Sequence, residues 1–240
     1  MASRDVRLVK MNERPFRLVT TRRGGNGVGG SCAFTGVIPK NSKVPVQQLL
    51  LIDLRDPNVP LECEGAIDYL PILYPFKYGG GGAEIQYSVA PDSKVRLIYL
   101  SDPEPDAPDW QYLQVDELPE QPLKLQPLTY DEARCLTFLR YDGHFQPNRT
   151  DLAILEKLDV NNLISFGGRR SHIPNAPDIH CRNPKCERRD QRTYFEFITS
   201  VPPIPVKGID DFWYEFQGAY VNFCFGLCHY CGTVIGFNVA

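Results

Sequence analysis

Two close cysteine pairs near the C-terminal end constrain this chain more than any other feature of its sequence. Cys181 and Cys186 form the first pair, and Cys228 and Cys231, followed by Gly232, form the second. Each pair fits on one tight turn, and two such turns supply four soft ligands in a tetrahedral arrangement. We therefore expect these four cysteines to bind a zinc ion.

Four unbound thiols or disulfide bonds are the alternatives for these residues. The other four of the eight cysteines are scattered along the chain: Cys32, Cys63, Cys135 and Cys224. In a reducing compartment, close pairs among scattered cysteines favour metal binding over disulfides. Three further side chains are candidate substitutes if one of the four ligands points away: His180, His229 and Cys224.

The ligand pattern favours a structural metal over a catalytic one. A catalytic zinc keeps one coordination position for water and usually has a carboxylate nearby. Neither His-x-Glu nor His-Glu-x-x-His occurs in the sequence, and four thiolates would close the coordination shell. We expect the zinc to staple the C-terminal hairpin to the turn near residue 181, with a zinc-dependent hydrolase as an alternative that needs an open position.

The overall charge and hydrophobic pattern exclude several classes of protein. With 26 basic and 29 acidic residues, the chain has no net field that would recruit nucleic acid or an anionic membrane. No run of about 18 apolar residues occurs, and residues 1–10 are charged without a following apolar segment. We therefore expect neither a membrane span nor a secretory signal, and we expect a cytoplasmic protein.

Apolar periodicity predicts mostly strands. Alternation indicates a strand at residues 83–89, and turn residues at 91–93 separate it from another strand at 94–100. A run that is apolar on both faces over its second half indicates a central strand at 46–54. Residues 220–227 and 233–239 flank the second cysteine pair as a hairpin. Pro71 and Pro75 make 69–76 an edge or irregular segment. Capping signals at Thr129 and at Asn148 or Thr150 predict two helices, the second with Leu152, Leu155 and Leu158 as its buried stripe.

These elements predict an α+β fold of largely antiparallel sheets, with two or three short helices and a C-terminal zinc-ribbon-like hairpin. We divide the chain into a β-rich half, residues 1–128, and a half with the helix pair and the zinc knuckle, residues 129–240. One continuous domain is the alternative. Residues 24–30 are rich in glycine but lack the Lys-Ser/Thr of a phosphate loop, so we expect a flexible loop there.

Two segments of opposite charge are candidate binding surfaces. Residues 101–123 hold acidic residues and prolines but no lysine or arginine, which predicts a solvated loop around a short strand at 110–115. Residues 169–192 surround the first cysteine pair with basic side chains: Arg169, Arg170, Arg182, Lys185, Arg188, Arg189 and Arg192. Zinc ribbons use such rims to bind nucleic acids. A solvated turn is the alternative, because the aromatic residues expected between the cations for base stacking are missing from this segment.

The order of landmarks in the C-terminal half resembles the YwqG-like bacterial family of unknown function. The matching features are Gly167-Gly168, Pro174, the two cysteine pairs, and the aromatic segments 194–197 and 220–223. Residues 49–54 and 94–100 are similar to paired strands of that family. The resemblance implies an α+β protein with two sheet-containing halves, no established enzymatic activity, and bacterial gene neighbourhoods that include toxin-immunity proteins. It transfers no active site.

From these observations we expect a non-enzymatic, cytosolic protein-binding module with a structural four-cysteine zinc site. A toxin-immunity protein is one form of this function, and the acidic and basic segments would give it two docking faces. The alternative is a nucleic-acid-binding zinc-ribbon protein that uses the basic rim 169–192.

Overall fold

A computed structural model describes residues 7–11, 15–64, 67–111, 113, 115–141, 145–160, 163–167, 179–189, 195–202 and 222–239. The strands in the first half of this part of the chain are β1 (Arg7–Met11), β2 (Phe16–Thr20), β3 (Asn26–Val28), β4 (Gln47–Asp53), β5 (Leu61–Glu64), β6 (Tyr69–Tyr74), β7 (Ile85–Ala90), β8 (Lys94–Leu100) and β9 (Gln121–Pro127). The later elements are the helices α1 (Tyr130–Tyr141) and α2 (Arg149–Leu158), followed by the strands β10 (Ile164–Phe166), β11 (Phe195–Val201), β12 (Asn222–Cys228) and β13 (Val234–Val239).

One large antiparallel sheet dominates the fold. Its eleven strands lie in the order β6-β4-β3-β9-β2-β10-β11-β12-β13-β7-β8, while β1 and β5 form a separate antiparallel pair. The prediction of an α+β fold is wrong, because the described residues form a mainly β protein with two α-helices. The C-terminal hairpin β12–β13 is formed as expected, but it belongs to the large sheet.

The α+β prediction failed because several strands lie in segments that lack a strand pattern. β3 lies within the glycine-rich segment 24–30, where we expected a flexible loop. Neighbouring strands leave little room there: a Cβ on Gly24 would lie 2.1 Å from the carbonyl oxygen of Leu123, and one on Gly25 would lie 2.3 Å from Oδ2 of Asp53. These two glycines permit close backbone packing rather than flexibility.

Strand β9 was also not predicted from the sequence, because its segment contains prolines. It begins within the acidic segment 101–123 and pairs with both β3 and β2 in the middle of the sheet. Pro122 and Pro127 occupy its second and last positions, where the missing N–H groups disturb the ladder least. The short strand expected at 110–115 is not formed by those of its residues that the structure describes.

Other predicted elements are confirmed. β4, β7 and β8 match the expected segments closely, and β6 lies at an edge of the sheet as its prolines predicted. Strands from both sides of residue 128 are hydrogen-bonded neighbours, since β2 pairs with β10 and β7 pairs with β13.

The two ends of the sheet pack against each other through aromatic side chains. The Tyr87 hydroxyl on β7 donates to the carbonyl oxygen of Pro71 at 2.7 Å and accepts from the backbone N–H of Leu73 at 3.0 Å. The ring of Tyr74 lies 4.3 Å from that of Phe223, centroid to centroid. The edge strand β6 therefore packs onto β7 and β12.

The two helices begin where the capping signals predicted. Thr129 and Glu132 exchange hydrogen bonds at the start of α1, and the Asn148 side chain caps α2. Leu155 and Leu158 are buried, but Leu152 is 53% exposed, so the predicted apolar stripe of α2 is wrong at that position. Within the described part of the chain, no helix is long and apolar enough to cross a membrane.

Candidate metal centre

Two turns bring the four cysteines together. Cys228 is the last residue of β12, and Cys231 lies in the turn that leads to β13. That turn is closed by hydrogen bonds from the Gly232 N–H to the Cys228 carbonyl at 2.9 Å and from the Cys228 N–H to the Thr233 carbonyl at 2.8 Å. Gly232 has a φ of 69°, which glycine adopts without strain.

The first pair lies on the segment 179–189. The Cys186 N–H donates to the Asn183 carbonyl at 2.9 Å, and the Arg189 N–H donates to the Cys186 carbonyl at 3.1 Å. The turn from Asn183 to Cys186 thus lies between the two cysteines, and a second tight turn follows Cys186. The wider spacing of this pair is accommodated by the turn around Asn183 and Cys186.

The sulfur atoms are spaced as a single metal ion requires. All four Sγ atoms lie within 4.8 Å of one another. The Sγ atoms of Cys181 and Cys231 are 3.6 Å apart, and those of Cys186 and Cys228 are 3.8 Å apart. Four sulfurs at about 2.3 Å from a tetrahedral zinc would be separated by about 3.8 Å. The cluster is therefore compatible with a metal site, as the sequence predicted.

The cluster is largely shielded from solvent and holds no disulfide. Cys181 and Cys228 are fully buried, Cys186 is nearly so, and Cys231 is half-buried. None of the four is disulfide-bonded. Soft ligands in a closed environment are typical of structural metal centres.

Backbone amides point at three of the sulfurs. The N–H groups of Asn183, Tyr230 and Thr233 each donate to the sulfur of the cysteine two residues earlier. Such N–H···S bonds favour the thiolate form and fix the direction of each ligand.

The thiols differ strongly in acidity. Hydrogen bonds from the Cys181 and Cys228 thiols are the main reason that the pKa of Cys231 lies well below its usual range. Hydrogen bonds to Cys181 and Cys231, together with burial, raise the pKa of Cys228. A hydrogen bond with Cys228 lowers the pKa of Cys181, but its bond to Cys231 and its burial outweigh this and raise the value to about 12. A bound divalent cation would displace the protons that the other thiols retain.

The buried side chain of Gln86 attaches the first turn to the sheet. Its Oε1 accepts from the Arg182 N–H at 2.7 Å, and its Nε2 donates to the His180 carbonyl at 2.7 Å. These two bonds to backbone groups flank Cys181 on either side. Strand β7 therefore holds the first turn next to β13, which carries the chain onward from the second turn.

Sequence reasoning missed Gln86 and also a polar pair next to Cys231. Asn183 and Thr233 are buried, and both contact the Cys231 sulfur. Each lies two residues after a cysteine of the cluster, at the position whose amide points at that cysteine's sulfur. A polar side chain at this position is a sequence signal that we did not use.

The candidate substitute ligands lie outside the cluster. Among the described residues, the group that could hold a metal consists of the four cysteines, with no histidine or carboxylate. Cys224 packs with Ile235 and Phe237 in a different apolar cluster. His229 is exposed, with its ring 5.6 Å from that of Tyr230, and the carbonyl of His180 accepts from Gln86.

The basic rim is described in part. Four of its members are exposed on the segment 179–189: Arg182, Lys185, Arg188 and Arg189. The Arg182 guanidinium lies 5.4 Å from the ring centre of Tyr99, and that of Arg188 lies 5.5 Å from the ring centre of Tyr230. Arg169, Arg170 and Arg192 lie outside the described residues, as do most of the features that carry the YwqG-like resemblance between 168 and 178.

Comparisons with known proteins found no match. No protein-family model, no curated protein and no solved structure matches the chain.

Proposed function

We propose that this protein is a non-enzymatic protein-binding module whose fold is stabilised by a structural zinc ion on Cys181, Cys186, Cys228 and Cys231. The observation that carries the proposal is the convergence of four sulfur atoms within 4.8 Å of one another. The metal would tie the turn that follows residue 179 to the hairpin β12–β13, two segments about 50 residues apart in sequence.

The ligand chemistry supports zinc in a structural role. Thiolates favour zinc, copper(I) and iron–sulfur chemistry over hard cations, and a single tetrahedral S4 site is typical of zinc. Four sulfurs leave no position for a catalytic water, and the described group includes no carboxylate that could act as a base. A zinc-dependent hydrolase is therefore the weaker alternative.

Metal analysis of purified variants tests the zinc proposal. Wild-type protein prepared under reducing conditions should hold about one zinc per chain, whereas Cys228→Ser should lose most of the metal and melt at a lower temperature. Cys224→Ser is the matched control, because Cys224 is buried on the same strand but lies outside the cluster. Equal zinc and equal melting in wild type and Cys228→Ser would refute the structural site.

An exposed aromatic side chain on an acidic loop supports a protein partner. Trp110 is 77% exposed at the end of a segment, residues 101–111, that carries acidic residues but no lysine or arginine. The loop is attached to the body of the protein, since Asp106 Oδ2 accepts from the Gly80 N–H and the Asp106 N–H donates to the Lys77 carbonyl, both at 2.9 Å. A pre-ordered tryptophan among acidic groups is the kind of anchor that a basic protein surface would bind.

Affinity capture from the native host tests this surface. Wild-type protein should retain a basic partner that Trp110→Ala loses, while Tyr130→Ala retains it. Tyr130 is the matched control, because it is 83% exposed on α1 and lies outside the acidic loop. If all three proteins captured the same partner equally well, the assignment of Trp110 as an anchor would be contradicted.

Two further parts of the proposal rest on the sequence. The four-thiolate site requires reduced cysteines, which supports a cytoplasmic location. The YwqG-like resemblance supports a toxin-immunity protein, which would act by occluding its toxin.

Nucleic-acid binding at the basic rim is the second candidate function. Sequence alone placed no aromatic residue among the cations, but Tyr99 and Tyr230 lie beside Arg182 and Arg188. Aromatic rings beside arginines can stack with bases. Binding to a generic single-stranded oligonucleotide that weakens steeply with salt would support this function, and no binding at low salt would eliminate it.

A further inference from the structure

Two buried polar side chains contact the cysteine of the cluster that is most accessible to solvent. Asn183 is 2% exposed and Thr233 is 0% exposed, whereas Cys231 is the one half-buried member of the four-cysteine cluster. Buried polar groups need hydrogen-bond partners, so the direction of each bond can be worked out from the contacts.

The orientation of the Asn183 amide is fixed by the backbone. Its Oδ1 accepts from the Lys185 N–H at 3.0 Å, which leaves the NH2 group directed at the metal centre. That NH2 group donates to Thr233 Oγ1 at 2.9 Å and contacts Cys231 Sγ at 3.6 Å. The amide therefore acts as a donor on this side.

The Thr233 hydroxyl is oriented in turn by Asn183. Its oxygen accepts from the amide, so its own proton is available for Cys231 Sγ, which lies 3.1 Å away. The Cys231 sulfur thus receives a donor from each of these two buried side chains. Two fixed donors hold a sulfur ligand in one direction, which is how outer-shell contacts act on a metal ligand.

The distribution of these bonds has a chemical reason. A partly exposed ligand is the one that competing ligands reach first. Outer-shell hydrogen bonds that fix the direction of such a ligand tune the metal affinity. We propose that Asn183 and Thr233 are positioning residues that hold the Cys231 sulfur in the direction of the metal and thereby set the zinc affinity of the site. This inference rests on the proposed zinc site.

Removal of the Thr233 hydroxyl tests the inference. In Thr233→Val, zinc affinity measured by chelator competition should fall about 10- to 100-fold. In the cobalt(II)-substituted protein, the thiolate-to-metal charge-transfer band should move to lower energy, because a sulfur that has lost a donor is more electron-rich. Thr233→Ser keeps the hydroxyl and should restore both the affinity and the band.

Thr199→Val is the matched control for a general loss of stability. Thr199 is also fully buried, and its hydroxyl donates to the Ser165 carbonyl at 2.7 Å on a part of the sheet away from the cysteines. It should leave both the zinc affinity and the cobalt band unchanged. Asn183→Asp is a second test if Thr233→Val does not fold, since the carboxylate keeps an acceptor for Lys185 but replaces the donor, and zinc affinity should again fall.

The possible results separate the two proposals. Wild-type protein that binds neither zinc nor cobalt(II) would overturn the zinc site itself. A wild-type site with normal affinity and an unchanged band in Thr233→Val would overturn only the role of Asn183 and Thr233. An equal loss of affinity in Thr199→Val would also overturn that role, because the effect would then reflect stability rather than contact with the sulfur.

Discussion

At the scale of single residues, the buried side chain of Gln86 positions the first turn of the candidate metal centre. It is fully buried on β7 and binds the backbone on both sides of Cys181, at the Arg182 N–H and the His180 carbonyl. A zinc ion can join two turns at low entropic cost only if they already lie close together. Gln86 supplies this proximity through hydrogen bonds that do not involve the metal.

Replacement of Gln86 by leucine should therefore weaken both the fold and the metal site. In Gln86→Leu, the loss of two hydrogen bonds to partly buried backbone groups should lower the free energy of unfolding by about 0.5–1.5 kcal/mol for each bond. Zinc affinity should fall as well, because the first turn is no longer held in place. Denaturant unfolding measures the change in stability, and chelator competition measures the change in zinc affinity.

Gln48→Leu provides the comparison for this prediction. Gln48 is also buried and donates to the Gly29 carbonyl at 2.7 Å, but it lies on β4 near the opposite end of the strand order. The Gln48→Leu variant should be less stable than the wild type but should bind zinc with the same affinity. If Gln86→Leu also kept wild-type zinc affinity, the pre-arrangement of the first turn by Gln86 would be disproved.

At the scale of elements, α1 and α2 are joined by an ion pair whose carboxylate is buried and whose guanidinium is partly exposed. Asp151 is buried in the first turn of α2, and its Oδ1 accepts from the Arg134 guanidinium on α1 at 2.6 Å. The same carboxylate accepts from the Cys135 thiol and completes the capping box with the Asn148 N–H. The hydrogen bond from Arg134 is the main reason that the pKa of Asp151 lies below its usual range.

This shift makes the helix pair sensitive to acid. A carboxyl group whose pKa is lower in the folded protein stabilises it above the unfolded value of about 3.9, and this contribution disappears as the pH falls through the folded pKa. Asp151→Asn should therefore have a lower melting temperature than the wild type at neutral pH. The difference between the two melting temperatures should narrow below about pH 4. Asp131→Asn should have little effect at any pH, because Asp131 is exposed and lies 3.9 Å from Arg134. A gap for Asp151→Asn that stays constant down to strongly acidic pH would contradict the assignment.

The helices and strands differ in how well they could be predicted from the sequence. The helix starts were predictable because caps such as Thr129 and Asn148 act locally. Strands β3 and β9 were not, since the glycines next to β3 and Pro122 within β9 oppose a strand locally and fit only because of neighbours far away in the sequence. In the candidate site, the spacing predicted the four cysteines, whereas Gln86 reaches them only through the pairing of β7 with β13.

At the scale of the whole molecule, the eleven-stranded sheet is held together at its ends by side chains. The Tyr87 hydroxyl occupies the position of a neighbouring strand, since it donates to Pro71 and accepts from Leu73 on the edge strand β6. At the opposite edge, Thr35 exchanges backbone hydrogen bonds with Ser93 and Val95 alongside β8. Each edge strand is thus contacted at one position on its outer side, where these bonds stand in the way of pairing with another chain.

Loss of the Tyr87 hydroxyl should destabilise the whole protein. Tyr87→Phe leaves a buried N–H and a buried C=O of β6 without this partner, which should lower the free energy of unfolding by about 1–3 kcal/mol per group. Tyr130→Phe should have almost no effect, because Tyr130 is 83% exposed. Denaturant unfolding of the two variants measures the difference, and equal stabilities would show that the hydroxyl does not join the ends of the sheet.

The central claim is that a metal with four sulfur ligands closes the C-terminal part of this fold. X-ray absorption at the zinc edge of the zinc-loaded wild-type protein tests it most directly. A four-cysteine site should give a single shell of four sulfur atoms at about 2.3 Å from the metal, without nitrogen or oxygen ligands. Three or fewer sulfurs with a lighter ligand would contradict it and would restore an open, catalytic type of site.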